Sequence, residues 1–110
     1  MGYLIMKTIS LDFKISGTKI FLPFKALCSV TDKQFSGEII IEYHPDKLVL
    51  EYVDVENVLA EITKAKITAE ELAHLVYEQV KESIKPKYLK IFVDIKNSDA
   101  HRPAQVWIED

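Results

Sequence analysis

TAEELAHLVYEQVKESIKPKYLKIFVDI, residues 68–95, holds side by side the two patterns that decide how this chain folds. Its opening Thr68-Ala-Glu-Glu71 is a capping box, in which the threonine hydroxyl and the Glu71 carboxylate each satisfy a backbone N–H left free in a first helical turn. Leu72, Ala73, Val76, Tyr77, Val80 and Ile84 then follow at helical spacing, the stripe by which a helix buries one face, and Pro86 ends it. Past the proline the period changes. Leu89, Ile91, Val93 and Ile95 alternate with Tyr88, Lys90, Phe92 and Asp94, as in a strand with one buried face.

Working outward, Asn97-Ser-Asp99 reads as a turn and Gln105-Val-Trp-Ile-Glu109 as a last strand. Upstream, Asp54 is placed to cap a short helix over residues 55–63. Before it, Glu38-Ile-Ile-Ile-Glu-Tyr-His44 is β-branched, strand-like and stopped by Pro45-Asp46. The N-terminal part reads as a β ribbon. Ile5, Lys7, Ile9, Leu11, Phe13 and Ile15 alternate with Met6, Thr8, Ser10, Asp12, Lys14 and Ser16, Ser16-Gly17 turns the chain, and residues 18–27 form the return strand, with Pro23 at an edge or bulge because it has no N–H to donate.

With the ribbon as the first β unit, the order is β-β-α-α-β-β, an α+β domain in which two helices inserted as one block cover one face of an antiparallel sheet. The other face mixes polar and aromatic groups, and both sheet edges need cover. Self-association is the expected solution, and Leu75, on the helix side turned from the core, points the same way.

A chain of 110 residues with 48% apolar and 28% charged residues fits one domain spanning residues 1–110. It has neither an apolar run of bilayer length nor the pattern of an export signal, so a cytosolic protein with no membrane partner is expected. One cysteine excludes an internal disulfide, and no Cys and His spacing suits structural zinc. The only glycines are Gly2, Gly17 and Gly37, which excludes a glycine-rich phosphate loop. Net charge is −3, yet residues 81–102 carry six basic side chains against three acids, the one stretch suited to RNA.

Four places carry candidate chemistry. Cys28 ends an apolar strand and opens a polar loop, a junction where a thiol can be partly exposed. Glu70 lies in the first turn of the capped helix, where the macrodipole favours an acid. The helical projection sets it beside Tyr77 at the border of the apolar stripe, as a half-buried carboxylate wanting a ligand. His74, one turn after Glu70 and one before Glu78, reads as a surface histidine. Tyr43-His-Pro-Asp-Lys47 copies the local signature of J-domain co-chaperones, but a β segment precedes it in place of a helix, so it reads as a strand-ending turn.

Taken together, the residues resemble the 7-cyano-7-deazaguanine nitrile reductases and their archaeal relatives, the QueF-like archaeosine synthases of the tunnelling-fold (T-fold) superfamily. Cys28-Ser-Val-Thr31 resembles the family's Cys-Pro-x-Thr, and Glu42-Tyr-His-Pro45 its strand ending in Tyr-x-Pro. Ala69-Glu-Glu71 falls where the family has His-Glu and an acid, and Ile84-Lys-Pro-Lys-Tyr-Leu-Lys-Ile91 resembles its helix-to-strand corner. The resemblance implies a T-fold that oligomerises into a barrel, with a cysteine that adds to a nitrile as a thioimidate, the role of Cys28, and a glutamate that holds the base, the role of Glu70. It also implies, as ligand, a purine-like molecule or tRNA carrying it.

Three departures sort the branches. The family's acid seven residues after the cysteine is Phe35 here, which leaves Asp32 as the loop's substitute acid, with His74 behind it. The histidine before the glutamate is Ala69. The reductases' cofactor-associated Glu-Ser-Lys-Ser is Glu51-Tyr-Val-Asp54. The synthase branch, with ammonia as co-substrate and no cofactor, is therefore expected. A purine- or pterin-binding relative without chemistry and an NADPH-dependent reductase are the alternatives.

Overall fold

A computed structural model of the chain describes residues 6–110. In chain order its elements are β1 (Thr8–Ser10), β2 (Thr18–Leu27), β3 (Gln34–His44), β4 (Leu48–Leu50), α1 (Tyr52–Ile62), α2 (Ala69–Ile84), β5 (Tyr88–Ser98) and β6 (Ala104–Glu109). Four strands form one antiparallel sheet in the order β2-β3-β5-β6, and β1 pairs only with β4. The principal strands and helices thus run β-β-α-α-β-β, as β2, β3, α1, α2, β5 and β6.

Alternation builds the core. Ile20, Leu22, Phe24 and Ala26 of β2, Ile39, Ile41 and Tyr43 of β3, and Leu89, Ile91, Val93 and Ile95 of β5 are all buried. They pack with Val55, Leu59 and Ile62 of α1 and with Leu72, Val76, Val80 and Ile84 of α2 in one cluster. Tyr43, fully buried, uses its hydroxyl to accept the Leu50 N–H at 3.0 Å, which ties β4 to the sheet.

The expected N-terminal ribbon is not formed. Ile5, where it was to begin, lies outside the described residues; of the rest only Thr8–Ser10 is strand, and it pairs with β4 in the register Thr8↔Leu50. β2 takes β3 as its partner, from Thr18↔Tyr43 to Leu27↔Gln34. The reason is burial: that ladder sets Ile20, Leu22, Phe24 and Ala26 on the same buried face as Phe35, Ile39, Ile41 and Tyr43, whereas Ile9 and Phe13 stay 50% and 65% exposed. Pro23 does sit on an edge strand, where its missing N–H interrupts no ladder on the open side.

Helix α1 starts at Tyr52, not at residue 55. Its cap is Glu51, whose Oε2 accepts the Asp54 N–H at 3.0 Å, while the Asp54 carboxylate accepts the Lys7 N–H at 2.7 Å and anchors the N-terminal segment. Helix α2 follows its sequence signals: Thr68 Oγ1 accepts the Glu71 N–H at 3.1 Å. The Glu71 carboxylate accepts from the Thr68 hydroxyl, also at 3.1 Å, in place of the backbone N–H. At the other end Lys85 turns left-handed (φ 44°) before Pro86, which disfavours the α region for its predecessor. Leu75 packs partly against the core and so does not face away from it.

One irregularity positions the candidate site. The β3/β5 register runs Gly37↔Ile95 and then Ser36↔Asn97, so Lys96 is an extra residue, a β-bulge in β5. Because side chains alternate, one extra residue exchanges the faces of everything after it. Ser98 therefore pairs with the buried Phe35 and shares its helix-side face, and residues 97 and 98 extend the strand instead of forming the expected turn. The bulge brings backbone so near Gly37 that a Cβ there would lie 1.9 Å from the Asp94 carbonyl oxygen.

Candidate functional site

At the end of the sheet where β2 finishes and β3 begins, α2 begins, and β5 gives way to β6, a cavity of about 300 Å³ opens to solvent. Cys28, Thr31, Phe35, Ala69, Glu70, Ser98 and His101 line it. A main-chain bond closes the gap between distant residues: the Ile67 N–H donates to the Leu27 carbonyl at 2.9 Å. That bond holds the start of α2 against the end of β2, so Glu70 meets the loop of Cys28.

The loop after β2 is a single turn. Cys28 donates its N–H to the Lys33 carbonyl at 2.9 Å, and its own carbonyl accepts the Asp32 N–H at 2.9 Å, with Asp32 left-handed at φ 58°. Inside the turn the Cys28 sulfur is partly exposed and receives the Thr31 hydroxyl and the N–H groups of Thr31 and Val30. These bonds favour the thiolate and hold the thiol below its ordinary range. Desolvation and the negative charge of Glu70 oppose them and are outweighed. The turn thus favours the thiolate form of a cysteine on the cavity wall.

Cys28 and Glu70 are thus brought together, although Glu70 is exposed at the wall and not half-buried beside Tyr77. Tyr77 instead donates its hydroxyl to the Asp110 carboxylate, which that bond and Lys81 hold below the usual carboxylate range. Asp32 is not among the residues lining the cavity. Its left-handed backbone carries the carboxylate to Lys66 Nζ, 2.6 Å away. His74 is exposed on α2 and does not line the cavity. Phe35, only 4% exposed, packs edge-on against Phe24 with ring centroids 5.6 Å apart, and Ala69, also buried, lines the same cavity. Where the resemblance has an acid and a histidine, this wall is apolar.

Ser98 and His101 line the cavity without having been singled out from the sequence. Ser98 reaches it through the bulge, and the loop carrying His101 follows from Ser98; only Gly37, isolated in a β-rich segment, hints at the register change. Among the described residues no cluster of three His, Cys, Asp or Glu side chains has the arrangement of a metal site. A larger cleft, about 410 Å³, lies between residues 11–16 and the His44-Pro45-Asp46 turn; no cysteine lines it.

No family model matches the sequence. Among solved structures, the chain is similar to the crystal structure of the archaeosine synthase QueF-like in the apo form, with a TM-score of 0.78 and 23% identity over 88% of this chain and 95% of that one. This chain has the T-fold. In it, the T-fold's two β-hairpins are β2-β3 and β5-β6, with β1 and β4 added as a small second pair. No helix among the described residues is long and apolar enough to cross a membrane.

Proposed function

We propose that the chain acts on 7-cyano-7-deazaguanine, carried in tRNA, as an archaeosine-synthase-like amidinotransferase. The observation that supports this reading is the meeting of Cys28 and Glu70 on one cavity, with the sulfur held by donors that favour its anion. Each side chain has a role. The Cys28 thiolate adds to the nitrile carbon to give a thioimidate, ammonia adds to that carbon, and the sulfur leaves as an amidine forms. The two Glu70 oxygens accept the parallel N–H donors of the purine edge. Copies of the chain are proposed to close into a barrel through the outer strands β2 and β6, whose free edges suit strand pairing.

One observation favours a second reading, a purine- or pterin-binding T-fold protein without this chemistry: Phe35 fills the position of the family's acid. Intact-mass spectrometry with the free nitrile base separates the two. The amidinotransferase reading expects an adduct equal in mass to the base, absent in Cys28→Ala. Glu70→Gln should weaken binding of the base by about 2–3 kcal/mol, as for a charge-assisted bond that loses its charge. Glu70-dependent binding with no adduct on the wild type would support the second reading.

A further inference from the structure

Addition of a thiolate to a nitrile leaves the nitrogen needing a proton, and the cavity offers few sources. Three titratable side chains line it: Cys28, Glu70 and His101. Cys28 is the nucleophile, Glu70 is engaged by the purine edge, and the nearby loop acid Asp32 is paired with Lys66. We propose that His101 is the general acid that protonates the nitrile nitrogen and that Ser98 positions it, an inference that rests on the nitrile-addition reading above.

The β5–β6 loop is built to hold the ring. Ser98 Oγ accepts the N–H of Ala100 at 3.1 Å and that of His101 at 3.3 Å, so the residue turned inward by the bulge also pins the loop that follows. His101 Nδ1 lies 2.6 Å from the Arg102 carbonyl oxygen. A carbonyl only accepts, so Nδ1 carries a proton and Nε2 is the atom left to exchange one. In the addition step the sulfur lone pair forms the S–C bond and one C≡N π pair moves to nitrogen. Nitrogen then takes the Nε2 proton of the imidazolium, leaving neutral imidazole and a neutral thioimidate. Collapse of the thioimidate by ammonia returns the sulfur as leaving group.

The test compares two reactions of Cys28 in the full chain: adduct formation with 7-cyano-7-deazaguanine, and alkylation by iodoacetamide, which needs no proton at the electrophile. His101→Gln should form the adduct roughly 100-fold more slowly, the order of general acid catalysis, with alkylation unchanged. Added imidazole should restore part of the rate in His101→Ala. Ser98→Ala should lose part of the rate through disorder of the loop, and Asp32→Asn should keep the wild-type rate. An adduct in His101→Gln at the wild-type rate overturns the proposal, as does an equal loss of both reactions, which would mark a structural role. A wild type whose Cys28 is alkylated but forms no adduct defeats the nitrile reading itself.

Discussion

Gly37→Ala is the substitution whose cost the structure fixes most directly. The added methyl carbon would sit 1.9 Å from the Asp94 carbonyl oxygen and 2.9 Å from both the Asp94 carbonyl carbon and the Lys96 nitrogen, where ordinary contact begins at 3.4 Å. All three atoms belong to the backbone of β5, so no side chain can swing aside. The two strands would have to part locally by roughly 1 Å or more, within an interior packed as densely as an organic crystal. Overpacking of that kind costs about 3 kcal/mol or more, a large share of the 5–15 kcal/mol that typically stabilises a domain. Thermal unfolding followed by circular dichroism should show a melting temperature lower by about 12 °C or more. Gly17→Ala is the control: its Cβ would meet nothing closer than His44 Cδ2 at 3.5 Å, so its melting temperature should stay near that of the wild type. A Gly37→Ala protein melting within about 2 °C of the wild type would refute the bulge argument and, with it, the account of how Ser98 reaches the cavity.

Five further outcomes are expected. In Thr31→Val, the pH midpoint of Cys28 alkylation should move up toward the ordinary thiol value, because the largest contribution favouring the thiolate is lost; an unmoved midpoint would contradict this. Since the folded thiol is lowered, its contribution to stability is present above the unfolded value of about 8.5 and lost as pH falls through the lowered one, so Cys28→Ser should flatten stability across that window. Tyr43→Phe strands the buried Leu50 N–H and should cost about 1–3 kcal/mol in urea unfolding, a smaller loss meaning that water reaches the amide. Light scattering should show a closed homo-oligomer at micromolar concentration, and NADPH should not be consumed with the nitrile base; a stable monomer or base-dependent oxidation would overturn the respective expectation.

Local features follow from neighbouring residues alone. The Thr68 cap, the stripe of α2, Pro86 and the alternation of β5 are each set within a few residues, and each is present as read. The motifs around Cys28 and Glu70 are each local in sequence, whereas that the two line one cavity depends on the Ile67–Leu27 bond. Tertiary structure decided the partners. Alternation in residues 5–15 and 18–27 marks apolar faces equally well, but only the second aligns its buried residues with those of β3 over a long ladder, so among the described residues of the first only three are strand, paired with β4. The same dependence hid from the sequence that Ser98 and His101 line the cavity and that Asp32 does not. A single extra residue at Lys96 reverses the face of all that follows, and a left-handed turn at Asp32 sends its carboxylate to Lys66. Periodicity fixes which residues share a face of one strand, whereas register against a neighbour, set by pairing between residues far apart in the chain, fixes which faces and which side chains meet.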